Sequence, residues 1–372
     1  MQEKISQGQF LKLIIVIIIS TVFLRLPREL AIVAEWDSPF SLILGYGTAW
    51  LIGLIVIWIS LKHPGDTFVA YSKKILGPYL GWVFGLMVFL VFMNFCILTI
   101  RISGITYTVA GYANTPMIVF SGVVVLLAVW ILKEGIEVLG RVVEILFVPL
   151  ILSIIMLFLL TVNKIHLDNL LPVLAFGPEP VLNGAVLAFS VGVKHVFLVG
   201  LLISMIQNLN KKIYAAYSYG LFAGAFMILL MVISTIGVFS VHDVKRFYLP
   251  PYHLAKVVEI GGFISGVEVI LLGIWTIASL LEVTIFLYIS VMIISQLLNV
   301  NYRDILLPLA FLFLSMSMAP MDNFQVEREI ELLGIYGVMP IALLFVLLMV
   351  PGQLLYQRIR KNKPRTGDDS NK

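Results

Sequence analysis

Ten runs of predominantly apolar residues follow one another along this 372-residue chain, each close to the length that crosses a bilayer. In order they cover 9–35, 38–61, 79–111, 116–133, 140–162, 178–207, 212–240, 262–298, 304–320 and 334–356. A hydrocarbon core of ~30 Å takes roughly 20 helical residues, and a helix in lipid satisfies its own backbone polar groups without water. Composition argues the same way: 60% of the residues are hydrophobic and 12% charged, whereas a globular domain carries about a quarter charged. The expectation is an all-α integral membrane protein of about ten transmembrane helices.

The first run has the apolar stretch of a signal peptide, Leu13 to Leu24, but Arg25-Leu26-Pro27-Arg28-Glu29 follows it with no small-residue cleavage site. It therefore reads as an uncleaved span. With the amino terminus in the cytoplasm, sixteen Lys and Arg fall on that side and six on the other. That imbalance places both termini inside. The chain divides into a short cytoplasmic tail (1–8), a membrane domain (9–356) and a basic cytoplasmic tail (357–372), whose cations suit anionic lipid headgroups.

Two runs about half a chain apart are interrupted. Ser20-Thr21-Val22-Phe23-Leu24-Arg25-Leu26-Pro27 brings a charge and a proline into the first, and Phe189-Ser190-Val191-Gly192-Val193-Lys194-His195 brings glycine and two basic residues into the sixth. Paired interruptions in two halves, here 9–162 and 178–356, point to a substrate site between repeats. The sequence predicts non-helical backbone near Thr21–Leu26 and Ser190–Lys194, with a ligand cavity among spans one, three, six and eight. Exposed N–H groups at such breaks favour a carboxylate, and free carbonyls favour a cation.

Charges inside the spans cost several kcal/mol unless paired or hydrated. Lys194 and Glu282 sit at similar depth, and pairing them relieves both. Arg25, Arg101, Asn94, Ser20, Thr21, Ser190 and Gly192 are the other candidates around the cavity, with Trp275 as an apolar wall beside Ser279. The alternative for these residues is an inert packed seam between helices. Glu268 lies near the outer boundary and is expected to face water.

Gly77, Gly81 and Gly85, and again Gly220 and Gly224, recur every four residues, a spacing that lets helices approach closely. Asp66 reads as the cap of a short helix ending at Gly77-Pro78, and a second short helix is expected over Leu254–Ile260. Cys96 is the single cysteine, and there is no nucleotide loop, HExxH or nucleophile with its base. No catalytic residue, cofactor or metal is expected.

Several stretches carry a family resemblance: Leu26-Pro27 through Glu35-Trp36-Asp37, Asn210-Lys211-Lys212, Leu249-Pro250-Pro251-Tyr252, and Glu259-Ile260-Gly261-Gly262-Phe263-Ile264 followed by Glu268 and Ile274-Trp275. Asp322-Asn323-Phe324 and Gly334-Ile335-Tyr336-Gly337 extend it. In this order they resemble the permease-like B-subunit family of nutrient germinant receptors of spore-forming bacteria, in the amino acid–polyamine–organocation superfamily. The resemblance implies a LeuT-type five-plus-five inverted repeat with helices one and six broken. It implies a subunit in the spore inner membrane that senses an amino acid or similar nutrient beside A-type and lipoprotein C-type partners. A secondary amino-acid transporter of the same superfamily is the rival. Two departures stand out: Lys194-His195 replaces an acidic or small polar residue, and the first interruption lacks a glycine pair.

Overall fold

The computed structural model describes residues 4–20, 22–111, 114–259, 266–319 and 321–362. Its helices are Gln7–Ser20 (α1), Val22–Ala34 (α2), Ser38–Leu61 (α3), Phe68–Leu76 (α4), Pro78–Val109 (α5), Met117–Glu134 (α6), Ile136–Thr161 (α7) and Glu179–Leu202 (α8). Lys212–Val244 (α9), Pro250–Lys256 (α10), Val267–Leu298 (α11), Tyr302–Ser317 (α12), Asn323–Leu332 (α13), Met339–Leu344 (α14) and Val350–Asn362 (α15) follow. Among the described residues, eight helical stretches are long and apolar enough to cross a membrane, and the apolar α1 is shorter. The ten expected spans correspond to α1 with α2, then α3, α5, α6, α7, α8, α9, α11, α12, and finally α13 to α15 joined by two π-helical turns.

Shifting the chain by five spans maps several of the main helix contacts onto one another. Span one lies on span seven, as span six lies on span two; span three meets four and nine, as span eight meets nine and four; span one meets five, as six meets ten. Five is odd, so every helix is matched to one that crosses in the opposite direction, and the second half is an inverted copy of the first. The short helices obey the same rule. α4 follows two crossings and α10 follows seven, so they lie at opposite ends of the bundle.

Local chemistry sets the boundaries of these elements. Gly77, at φ +88°, ends α4 in a conformation open to glycine, and Pro78 starts α5. Thr67 rather than Asp66 caps α4, accepting from the Ala70 N–H at 3.3 Å; Asp66 instead holds Lys74 at 2.6 Å. The second short helix begins at Pro250, earlier than expected, because proline at a first helical position gives up no needed donor. Residue 260, at the end of the expected helix, lies outside the described residues, as do 262–265 of span eight and the tail beyond 362. α9 is kinked at Ser240, at φ +70°. The Gly237 carbonyl, one turn earlier, accepts from the His166 N–H and from Asn169 Nδ2, each at 2.9 Å.

The two expected interruptions fare differently. In span one the described helix ends at Ser20 and resumes at Val22, residue 21 lying outside the described residues, and Val22–Leu26 is helical rather than unwound, with Pro27 inside α2. In span six there is no interruption: α8 runs as a helix from Glu179 to Leu202. Ser190, Gly192 and Lys194, three of the residues that suggested a fault, are accommodated within it, while His195 is buried with neither ring nitrogen hydrogen-bonded. Ser190 Oγ donates back to the Leu187 carbonyl at 2.8 Å, and Lys194 finds an acid on α11. Gly192 brings α8 against α3, where a Cβ would stand 2.9 Å from that of Ala49. Gly184 and Gly200 repeat this contact with α3 and its flanks, against Ser41 and Val56. Small residues at a membrane helix seam serve approach, not rupture. Gly220 and Gly224 receive Ile14 and Ile18 of α1, while Gly81 and Gly85 seat α5 on α4 and on Leu297.

Candidate ligand cavity

α2, α5, α8 and α13 enclose a cavity within the bundle, lined by Arg25, Leu26, Glu29, Phe95, Leu98, Thr99, Ile102, Val191, Lys194 and Ile330. The space between them is about 400 Å³, part of it open to solvent, and about 40 Å³ of it admits water centres, room for about three waters. Span ten therefore closes the cavity where span eight was expected, because α13 lays Ile330 over it. Below Lys194 lies a smaller apolar void between Val88, Val91, Phe92, Phe197, Val338 and Ile341.

The charges here are buried and organised. The Arg25 side chain is 6% exposed and donates through Nη2 to Glu29 Oε1 at 2.9 Å, one helical turn away, while its Nε has no partner. Lys194 Nζ stands 3.5 Å from Glu282 Oε1, so the pair expected from depth alone is present. The same ammonium lies 5.1 and 5.5 Å from the ring centroids of Phe95 and Phe286, within cation–π range. Glu282 is fully buried, and its Oε2 accepts from Ser20 Oγ at 2.9 Å. Ser20 is the last residue of α1. Ser20 is thus tied through one carboxylate to α11 and α8.

The other candidates are distributed elsewhere. Arg101 is buried, but its guanidinium donates to the Ser317 carbonyl at 2.7 Å and to those of Ala319 and Met321. It fastens the link between α12 and α13, with its Nε left without a partner, and it is absent from the cavity wall. Asn94 Nδ2 bonds the Leu90 carbonyl of its own helix at 2.8 Å and is absent from the cavity wall. Trp275 lines a separate void with Ile19, Ser20, Phe23, Leu150 and Ser153 between spans one, five and eight. Ser279 is buried on the same helix, and neither its Oγ nor Trp275 Nε1 has a partner. Gly192 faces α3 and leaves no room for a ligand; Ser190 faces Gly334, whose Cβ position lies 2.8 Å from its Oγ. Glu268 is half-buried in the first turn of α11. Thr21 lies outside the described residues.

Sequence reasoning missed Glu29, Thr99, Phe95 and Ile330. Glu29 carried a signal, since it follows Arg25 by four residues and shares its helix face. Ile330 carried none, because the register of α13 depends on the π turn after it. Among the described residues no cluster of His, Cys, Asp and Glu is arranged to hold a metal.

Comparison with known proteins agrees with this architecture. Over 360 residues the chain is 25% identical to spore germination protein YndE of Bacillus subtilis (strain 168), covering 92% of this chain and 96% of that one. Spore germination protein KB of the same organism is 24% identical over 359 residues, covering 94% of each. Spore germination protein A2 is 22% identical over 93% of this chain and 95% of its own. Among solved structures, MhsT in complex with L-phenylalanine superposes with a TM-score of 0.57 at 14% identity, covering 90% of this chain and 88% of that one. That likeness shows the LeuT fold. The model of the family described as spore germination protein, a family of spore permeases, matches residues 4–326, and the chain belongs to that family.

Proposed function

We propose that this chain is the permease-like subunit of a nutrient germinant receptor. It binds a small nutrient, an amino acid or similar molecule, in the cavity at Arg25 and Lys194, and its occupancy triggers germination through A-type and C-type partner subunits. It works in the spore inner membrane with both termini in the cytoplasm. The observation that carries the reading is whole-length similarity to proteins named for spore germination in a chain with buried charge beside an internal cavity.

The two ends of the bundle differ in a way that suits sensing. At the proposed outer end, Glu35 pairs with Lys245 at 2.6 Å, Arg28 Nε donates to the Lys245 carbonyl at 3.2 Å, and the Asp37 carboxylate accepts from the Leu174 N–H at 2.9 Å. At the other end a space of about 1050 Å³ opens between Lys4, Thr67, Ser204, Tyr288 and Arg303. A ligand larger than about three waters must widen the central cavity to enter. It thereby favours a different arrangement of α2 and α13 around α5 and α8, and partners read that population shift.

Deleting the gene and challenging spores with a nutrient panel tests this. Loss of response to one nutrient class, with growth uptake unchanged, supports it; normal germination with every nutrient refutes it. A secondary amino-acid transporter is the second reading, favoured by the wide opening at one end and the fold shared with MhsT. Loss of labelled amino-acid uptake with normal germination would select it.

A further inference from the structure

Accepting the cavity as the ligand site, we infer that its ligand must carry a carboxylate, and that Arg25 and Lys194 hold this group between them. In a broken sixth helix, unpaired backbone N–H groups would receive an anion. Here α8 is continuous through Lys194, and the Ser190 hydroxyl is turned back onto the Leu187 carbonyl. The backbone of span six offers nothing, so an anion has to be met by side chains.

Two cations are available for it. Both Arg25 and Lys194 line the cavity and are more than nine-tenths buried. Arg25 spends one nitrogen on Glu29 and leaves Nε without an acceptor. A buried charged donor without a partner is costly until something accepts from it. Lys194 has three N–H groups and uses one contact, at 3.5 Å, on Glu282. It can stay paired and still donate upward. Glu282 is not part of the cavity wall, and one of its oxygens takes the Ser20 hydroxyl while the other faces Lys194. The wall therefore presents two cations against one carboxylate, Glu29.

The remaining surface is apolar: Leu26, Phe95, Leu98, Ile102, Val191 and Ile330, relieved by the Thr99 hydroxyl. It suits a short hydrocarbon body and gives no set of polar groups for a sugar or nucleoside. The ligand class is a small carboxylate with an apolar side chain. An α-ammonium, if present, has the free oxygen of Glu29 to meet.

The test uses the purified full-length chain in lipid nanodiscs and its thermal unfolding. Probes are L-alanine, L-valine and L-leucine, their primary amides, propionate, glucose and adenosine. At least one free acid should raise the melting temperature, and its amide should not. Arg25→Gln should weaken binding about tenfold to a hundredfold, the range for a hydrogen bond to a charged group, while Arg25→Lys keeps part of it. If Arg25→Gln does not accumulate, Ile330→Phe serves instead, filling the cavity without touching a charge. Equal stabilisation by acid and amide, or by glucose or adenosine unaffected by Arg25→Gln, overturns the carboxylate requirement and leaves the sensing role standing. If no probe binds although deletion abolishes a nutrient response, the carboxylate site is likewise overturned. Normal germination after deletion removes the sensing role itself.

Discussion

Replacing Lys194 with methionine removes the ammonium that faces a fully buried carboxylate. At 3.5 Å and an effective dielectric of 20, the attraction is ~5 kcal/mol before desolvation. Losing one member of a buried pair costs about 3–5 kcal/mol. Glu282 keeps the Ser20 hydroxyl at 2.9 Å, so the lower end applies, and Lys194→Met should destabilise by about 3 kcal/mol. Glu282→Gln leaves Lys194 between the rings of Phe95 and Phe286, whose attraction when desolvated is ~2 kcal/mol; its cost should be about 2 kcal/mol. In the double variant Lys194→Met/Glu282→Gln the neutral amide still accepts from Ser20 and no charge is stranded. Its loss should be about 2 kcal/mol rather than the ~5 kcal/mol expected from adding the single costs. Equilibrium unfolding of ligand-free protein in mixed micelles, run on all four members of the cycle, measures the coupling directly. A coupling below ~0.5 kcal/mol, the scatter of independent sites, would show that the two groups do not sense each other.

Gly192→Leu should reduce membrane accumulation sharply, because even a Cβ would meet Ala49 at 2.9 Å and overpacking costs about 1–3 kcal/mol. Gly47→Leu, where nothing lies within 4 Å, should accumulate normally, and equal levels of both would contradict the seam. Arg101→Gln should free the carbonyls of residues 317, 319 and 321 at a cost of about 2 kcal/mol. Hydrogen exchange over α13 should rise; unchanged exchange would deny Arg101 its fastening role. Burial, with Lys256 nearby, holds the His253 imidazole below its ordinary pKa. The unfolded chain then binds the proton more readily than the folded one, so stability should fall as pH drops below about 6.5 and recover above it. His253→Phe should flatten that dependence in a pH series of melting temperatures.

Much of the fold was legible because it is written in one-dimensional quantities. Run length gave the spans, and the burial cost of isolated charge brought Lys194 and Glu282 together across 88 residues. Helix continuity was not legible. Ser190, Gly192 and Lys194 look like a rupture only if their partners are ignored; the Leu187 carbonyl, Ala49 and Glu282 each satisfy one of them. The cavity suffered from the same gap. Face and depth put Arg101 near a ligand, yet three carbonyls at the end of α12 and in its link to α13 take its guanidinium. Tertiary carbonyl acceptors leave no mark in side-chain spacing, and neither does the register of α13.

Span ten contains two π-helical turns, Leu333–Val338 and Phe345–Met349. A π turn holds one residue more than the α-helix it interrupts, and one residue corresponds to about 100° of rotation. Ile330, before the first turn, faces the charged cavity, while Val338 at its end and Ile341 beyond it face the apolar void below Lys194. Removing a single codon within Leu333–Val338 would restore an α-helix and swing the Ile330 face away from Arg25 with the lower face left in place. Diversification of the cavity wall in this lineage therefore has a route through length as well as through substitution. Gains and losses of one residue in the last span can exchange an entire helix face in a single step.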